Sequence, residues 1–496
     1  MSVILSPKSL FKNRIIAQWP CLLIALVFLF LRLYNLGFHD FWYDEIGTVN
    51  YARYPWGNWN APLYWILLHF WIKHFGISEF ALRFPSVIFS FFSVILTYFL
   101  GKGLFNKKTG LIACIFMGVS PFHLWYAQEA RDYSMALFFG LLSSYLFFRA
   151  LKDKKFKLWL FFALASIIGL YTNYFYIFLF LAQGLYLTFF KKMRFNLKEL
   201  FCFLIIAAGF SFYLPRFLSK FNFVWAGFWV FKPTWQSLII TLENFILGYN
   251  GNFLLYLMAD IFSGIFFISA ICYIKKENIK QPFLFCIFFS FVPILAAFFF
   301  SKAFFPVYLD RGLLIFSPFY YLILALGISH LKKILNIILL PIIIIVILAA
   351  DYRYFNDKIF MPLEHHLGTY IKKPIKPIAD FLDKNIGSED IIGFTNDSVI
   401  PSLEFYSQRS LSFYRFFDPK FPNPHWRSPI QENKYCVPFY KISQLKFKKL
   451  YVIASNWARD GGLDEHSQSV KGWLDNNLKF KLSHNFDGLW VYIYEH

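Results

Sequence analysis

Stretches such as "WPCLLIALVFLFLRLYNLG" (residues 19–37) and "ILNIILLPIIIIVILAA" (334–350) are apolar on every side, and each is long enough to cross a bilayer. Similar runs recur almost to residue 350, so the first reads as a span and not as a cleaved leader. The polar breaks between them alternate in charge. Lys8/Lys12/Arg14, Lys102/Lys107/Lys108, Lys152/Lys154/Lys155/Lys157, Lys191/Lys192/Arg194, Lys275/Lys276/Lys280 and Lys332/Lys333 form basic loops that the positive-inside rule assigns to the cytoplasm. The spacing predicts roughly eleven spans, an odd count that leaves the C-terminus outside. They fall near residues 18–36, 81–101, 110–127, 133–150, 158–173, 174–190 and 199–214, with four more ending near 350.

Two outward segments interrupt this pattern. Residues 37–80 are too polar to span, and within them "PLYWILLHFWIKHFG" predicts a short amphipathic helix in the interface, anchored by Trp65 and Trp71. Residues 215–250 read as an aromatic outward loop carrying Trp225, Trp229 and Trp235. Beyond "DYRYFNDK" the period changes. "KPIADFLDKNIGSEDIIGFTND" predicts helix, turn and strand, "FKKLYVIASNW" a strand, "SVKGWLDNNLKF" a helix, and "GLWVYIYEH" a closing strand. The expected fold is a polytopic α-helical membrane protein, residues 1–350 with the outward loop 37–80. A C-terminal soluble α/β domain, residues 351–496, follows on the outer face.

Composition agrees, at 58% hydrophobic and only 16% charged. The formal charge of +20 does not imply nucleic acid, because residues 1–350 hold 30 Lys/Arg against 12 Asp/Glu and residues 351–496 hold 19 against 17. The excess belongs to the membrane half, where it sets orientation. Five cysteines lie in apolar runs and only Cys436 in the soluble region, so that region has no disulfide framework of its own.

Most acids of the membrane half gather at outer span ends: Asp40, Asp44, Glu45, Glu79, Glu129, Asp132 and Asp310, accompanied by Arg83, Arg131 and Arg311. In "HDFWYDEIGTV" three aromatics suited to headgroup depth lead into the adjacent acids Asp44 and Glu45. The pair reads as a helix cap or loop ion pair, or as a general base facing a hydroxyl. "QEARDY" (128–133) reads as a solvated turn with an internal Glu129–Arg131 or Arg131–Asp132 pair, or as an anion site in which Arg131 grips a phosphate. Asp310–Arg311 repeats that choice, with an interfacial anchor as the plainer alternative. His365–His366 is a poor metal site without a spaced third ligand, and Asp260 is an acid inside a predicted span. No Walker loop, GxGxxG after a strand, HExxH or CxxC occurs.

Five segments carry a resemblance: "FWYDE", "APLYWILLHFWIKHFGISEFALRFPS", "SPFHLWYAQEARDYSMALFFGLLSSYLFFRAL", "LYTNYFYIFLFLAQGLY" and "FPVYLDRGLLIFSPFYYLILALG". In this order they resemble GT-C membrane glycosyltransferases of the protein O-mannosyltransferase/glycosyltransferase-39 type, which include the lipid A aminoarabinose and galacturonic acid transferases, over roughly residues 20–330. The resemblance implies a GT-C fold and inverting transfer of a sugar from a polyprenyl-phosphate donor at the outer face of the cytoplasmic membrane. The acceptor would be a hydroxyl or phosphate on a lipid, glycan or protein. It makes Asp44 the catalytic carboxylate and Glu45 its neighbour in the site. Arg83, Arg131 and Arg311 become donor-phosphate ligands, with Glu129, Asp132, Tyr133 and Asp310 as substrate-site candidates. No cofactor is firmly implied, although a divalent cation is a candidate. Two departures stand out. Asn60-Ala61-Pro62 replaces the family's frequent His before a double proline, and Asn173 stands where His is frequent. The alternatives are a lipid or polysaccharide transporter, disfavoured because the ionisable groups gather at one face and not at the midplane, and an inactive assembly subunit.

Overall fold

The computed structural model describes residues 19–57, 61–190, 196–227, 230–274, 279–360, 365, 372, 374–395, 399–420, 435–454, 463 and 465–495. Of the residues singled out above, Lys8, Lys12, Arg14, Asn60, Lys191, Lys192, Arg194, Trp229, Lys275, Lys276 and His366 lie outside these. The chain divides into two compact units. The first comprises Met1–Leu36, Tyr54–Asn222 and Val230–Thr369; the second comprises Gly37–Arg53, Phe223–Trp229 and Tyr370–His496.

The first unit is helical. Among the described residues six helices are long and apolar enough to cross a membrane: Glu79–Leu104, Tyr133–Asp153, Phe253–Ile274, Lys280–Ala303, Asp310–His330 and Lys333–Phe355. Two bent pairs pass the same test, Lys107–Val119 with Pro121–Ala127 (60°) and Leu197–Ser211 with Leu214–Asn222 (62°), and three shorter apolar helices are Trp19–Leu33, Phe156–Leu170 and Tyr176–Phe190. The first bend has a covalent cause. Pro121 lacks an N–H and forces Ser120 into an extended conformation (φ −63°, ψ 123°), and the Ser120 hydroxyl donates to Phe245 O at 2.8 Å.

The segment Asp310–His330 is apolar all round, and from Gly312 to Ile328 it is buried in protein, as such a helix must be at the centre of a bundle. At Gly327 a Cβ would collide with the backbone carbonyl of Phe266, so this glycine allows the helix Phe253–Ile274 to approach backbone to backbone.

Residues 215–250 differ from the expected loop, because Leu214–Gly227 and Trp235–Leu247 are helices; the apolar residues among the aromatics carry a helical period. The helix Leu63–Phe75 forms as expected. Trp65, however, is 2% exposed and packs inside the protein, so it is not an interfacial anchor. Trp71 stacks on Phe75 (4.1 Å) and donates to Ala81 O at 2.8 Å.

Among the described residues of the second unit six strands form one sheet: β1 (Ile391–Phe394), β2 (Phe413–Phe417), β3 (Cys436–Pro438), β4 (Lys449–Ala454), β5 (Lys479–Phe486) and β6 (Leu489–Glu495). Their order is β3-β2-β1-β4-β6-β5, parallel from β3 to β4 and antiparallel thereafter. Successive residues of β4 point to opposite faces. Tyr451 and Ile453 join a core with Ile378, Leu382 and Leu403 from the helices Lys376–Asn385 and Ile400–Tyr406. Leu450 and Val452 join the opposite core with Val470 and Leu474 from Glu465–Asn477. Asp487 (φ 48°) and Gly488 (φ 84°) turn the β5–β6 hairpin, the left-handed pair that a two-residue hairpin requires.

Candidate functional site

The sharp turn after the bent pair organises one end of the helical unit. The Gln128 side-chain NH2 donates to Arg32 O (3.0 Å) and Tyr34 O (2.7 Å), while its oxygen accepts from the Tyr354 hydroxyl (2.7 Å). One amide thus ties the turn to the helices Trp19–Leu33 and Lys333–Phe355. Glu129 is buried. Arg131 lies over the rings of Trp65 (5.5 Å) and Tyr133 (5.8 Å), so its guanidinium is held by two aromatic faces. The ring of Tyr133 in turn meets Tyr126 edge-on at 5.0 Å.

Asp132, also buried, accepts from Asn173 Nδ2 at 2.7 Å, while Asn173 Oδ1 accepts from Phe175 N at 2.9 Å. The residue that departs from the resembled family's His therefore braces the turn. Burial raises the Asp132 carboxyl above its ordinary value, and the Arg131 charge, the Asn173 hydrogen bond and the more distant Arg311 charge oppose that rise.

Arg131 and Arg311 therefore act on the same carboxylate, and Arg131 also repels Lys220. Two cations from separate elements are thus set against Asp132, and a third, Lys220, lies within the field of Arg131. Lys220 escaped the sequence reading because it lies in the stretch expected to be a loop. Arg83 is 1% exposed and its Nη1 donates to Leu36 O at 2.9 Å, so part of its donor set holds the chain beyond the first helix. Asp310 is occupied on both oxygens, by Thr241 Oγ1 (2.6 Å) and Asn244 Nδ2 (2.6 Å), which fastens the start of the helix that carries Arg311. His365 pairs through Nε2 with Glu243 at 2.8 Å. Among the described residues no three His, Cys, Asp or Glu side chains are arranged to hold a metal ion.

Asp44 and Glu45 belong to the second unit, in the first turn of the helix Tyr43–Arg53. Adjacent residues on a helix point about 100° apart, and here that separates two neighbouring carboxylates. Asp44 is half-buried, whereas Glu45 is fully buried and faces Lys372 Nζ at 3.5 Å. The helix buries Ile46, Thr48, Val49 and Ala52 on the same side as Glu45.

Residues 60–218 match the family model described as dolichyl-phosphate-mannose-protein mannosyltransferase. No curated protein sequence matches the chain. Among solved structures the chain is similar to ArnT from Cupriavidus metallidurans bound to undecaprenyl phosphate, at 11% identity and a TM-score of 0.59, covering 96% of this chain and 98% of that one. It is similar to the apo state of the same protein at 12% identity and a TM-score of 0.58, with the same coverage. The arabinofuranosyltransferase AftD from Mycobacteria matches at 8% identity and a TM-score of 0.50, over 96% of this chain and 40% of that one. The resemblance drawn from the motifs is thus supported: residues 60–218 match that family model, the chain shares the fold of the ArnT structure, and several of its helices are long and apolar enough to cross a membrane.

Proposed function

From this GT-C fold we propose that the protein is an inverting glycosyltransferase. It would move a sugar from a polyprenyl-phosphate donor to an acceptor on a lipid, glycan or protein at the outer face of the cytoplasmic membrane. The observation that carries this reading is the group of cations at the 128–133 turn, where Arg131 and Arg311 both act on the buried Asp132 and Lys220 lies within the field of Arg131. Cations gathered at one end of a membrane bundle, one of them already seated on aromatic rings, suit a lipid phosphate that arrives laterally. That the solved ArnT structure binds undecaprenyl phosphate supports the same donor class.

In the proposed reaction the acceptor oxygen attacks the anomeric carbon as the bond from that carbon to the phosphate oxygen breaks. Polyprenyl phosphate leaves with the bonding electrons, and its growing charge is met by Arg131 and Arg311, with Arg83 and Lys220 as further cations. Where the acceptor is a hydroxyl, its proton passes to Asp44, the half-buried member of the acidic pair. Because the transition state is oxocarbenium-like, the proton leaves late, and placing the carboxylate matters more than making it strongly basic. Asp132 sets the electrostatic balance of the cation cluster, and Asp310 fixes the start of the helix that bears Arg311.

The test is release of polyprenyl phosphate by purified protein in bilayer nanodiscs, with a panel of polyprenyl-phosphate sugars and with nucleotide sugars as controls. Release from one lipid donor, abolished by Asp44→Asn, is expected. No turnover with any donor across acceptor extracts would move the assignment to a transporter or an inactive assembly subunit.

A further inference from the structure

The segment that carries Asp44 is short, polar and distant in sequence from the rest of its compact unit, and three ties hold it there. Asp40 Oδ2 accepts from the backbone N of Lys376, at the start of the helix Lys376–Asn385, at 2.7 Å. The buried Phe41 donates its backbone N–H to the Tyr406 hydroxyl at 2.7 Å, and its ring packs against Phe405 (5.6 Å) and Tyr406 (6.5 Å). Glu45, with no exposed surface, pairs with Lys372 at 3.5 Å. These ties fall at positions 40, 41 and 45, on either side of Asp44, and all three partners lie between residues 372 and 406.

We propose that Tyr406 and Lys372 are positioning residues for Asp44: the C-terminal α/β unit sets where the catalytic carboxylate stands. The inference rests on the role of Asp44 proposed above. Glu45 then has a different task from its neighbour, since its charge is spent on Lys372 and serves as an anchor. The physical argument is one of geometry. A base acts over a hydrogen bond's length, and a displacement of about 1 Å at such a group can cost about a hundredfold in rate. A polar segment of some fifteen residues has too little core of its own to hold that tolerance, so the precision comes from the groups that clamp it.

The test uses the full-length protein in nanodiscs as wild type, Tyr406→Phe, Lys372→Met and Lys372→Arg. Hydrogen exchange of peptides spanning residues 39–47 and kcat for polyprenyl-phosphate release are both measured. Tyr406→Phe keeps the ring and removes only the acceptor oxygen, so the fold is retained. It is expected to speed exchange about tenfold and to lower kcat about tenfold, with donor KM within about twofold. Lys372→Met is expected to do the same or worse, and Lys372→Arg to restore most of the rate. On an Asp44→Asn background, Tyr406→Phe should have no further effect on the residual rate, because a positioning residue acts through the group it positions. Unchanged exchange, or faster exchange with unaltered kcat, overturns the positioning role alone. Faster exchange together with no turnover by the wild type overturns the catalytic reading of Asp44 and, with it, the positioning role.

Discussion

The cation-bearing turn at 128–133 and the carboxylate-bearing segment at 37–53 both present charged side chains on short stretches of chain, but they are held in different ways. In the turn, order comes from other helices of the same bundle and from aromatic packing. Arg131 lies on Tyr133, two residues away, and on Trp65, and Asp132 is braced by Asn173. In the segment, order comes from far along the chain, since the Phe41 N–H and the Tyr406 hydroxyl are 365 residues apart in sequence. A charge supported by the bundle it belongs to can be recognised from local motifs. A charge supported by residues far along the chain is recognised only once the fold is known.

The largest effect is expected from Asp44→Asn, which keeps the side-chain volume and removes the proposed base; transfer should fall by about a thousandfold, within the range for loss of a general base. Near wild-type release from folded protein would remove the carboxylate from the chemistry. Arg131→Gln comes next. It should reduce kcat by about a hundredfold, the scale on which loss of one charge-stabilising donor is felt. Arg131→Lys should recover little, because a lysine does not reproduce the planar stack on Trp65. If Arg131→Lys were fully active, the cation cluster would be acting as bulk charge and not through geometry.

Gly327→Ala tests the bundle itself. The added methyl meets the Phe266 carbonyl, so a loss of about 1–3 kcal/mol is expected, read as a lowered unfolding midpoint in nanodiscs. The smallest effect concerns Asp132, whose carboxyl is raised by burial. A carboxyl with a folded value above its unfolded one contributes stability that is full below the unfolded value and is lost as pH rises through the folded one. Thermal midpoints should therefore fall as pH rises from about 3.8 into the mildly acidic range, and Asp132→Asn should flatten that slope. An unchanged slope in the variant would assign the pH dependence to another group.

The helical unit was legible because a span is written in local composition. The long helices Phe253–Ile274, Lys280–Ala303, Asp310–His330 and Lys333–Phe355 fall where the last four apolar runs predicted them. The sheet was legible only in part. β4 and β6 alternate between two buried faces and were anticipated, but β3 has three residues and therefore no period to read. β5 lies at the sheet edge with nearly every residue at least partly exposed, so it offers no buried face to mark it. Among the site residues, Arg131 and Arg311 stood out because arginine is conspicuous beside apolar runs, whereas Lys220 lay hidden in a stretch whose aromatics suggested a loop. The division of labour between Asp44 and Glu45 could not be read, because it depends on Lys372 and Tyr406, which no local pattern connects to "FWYDE".

The bond between Phe41 and Tyr406 also has a meaning for biosynthesis. A ribosome adding about 5–20 residues per second needs roughly 20–70 s to travel the 365 residues between them. Through that interval the first spans are already inserted while the acidic segment waits for its clasp. On the function proposed above, a nascent or truncated product that stops short of residue 372 would carry Asp44 on a segment whose partners at Lys372, Lys376 and Tyr406 have not yet been made.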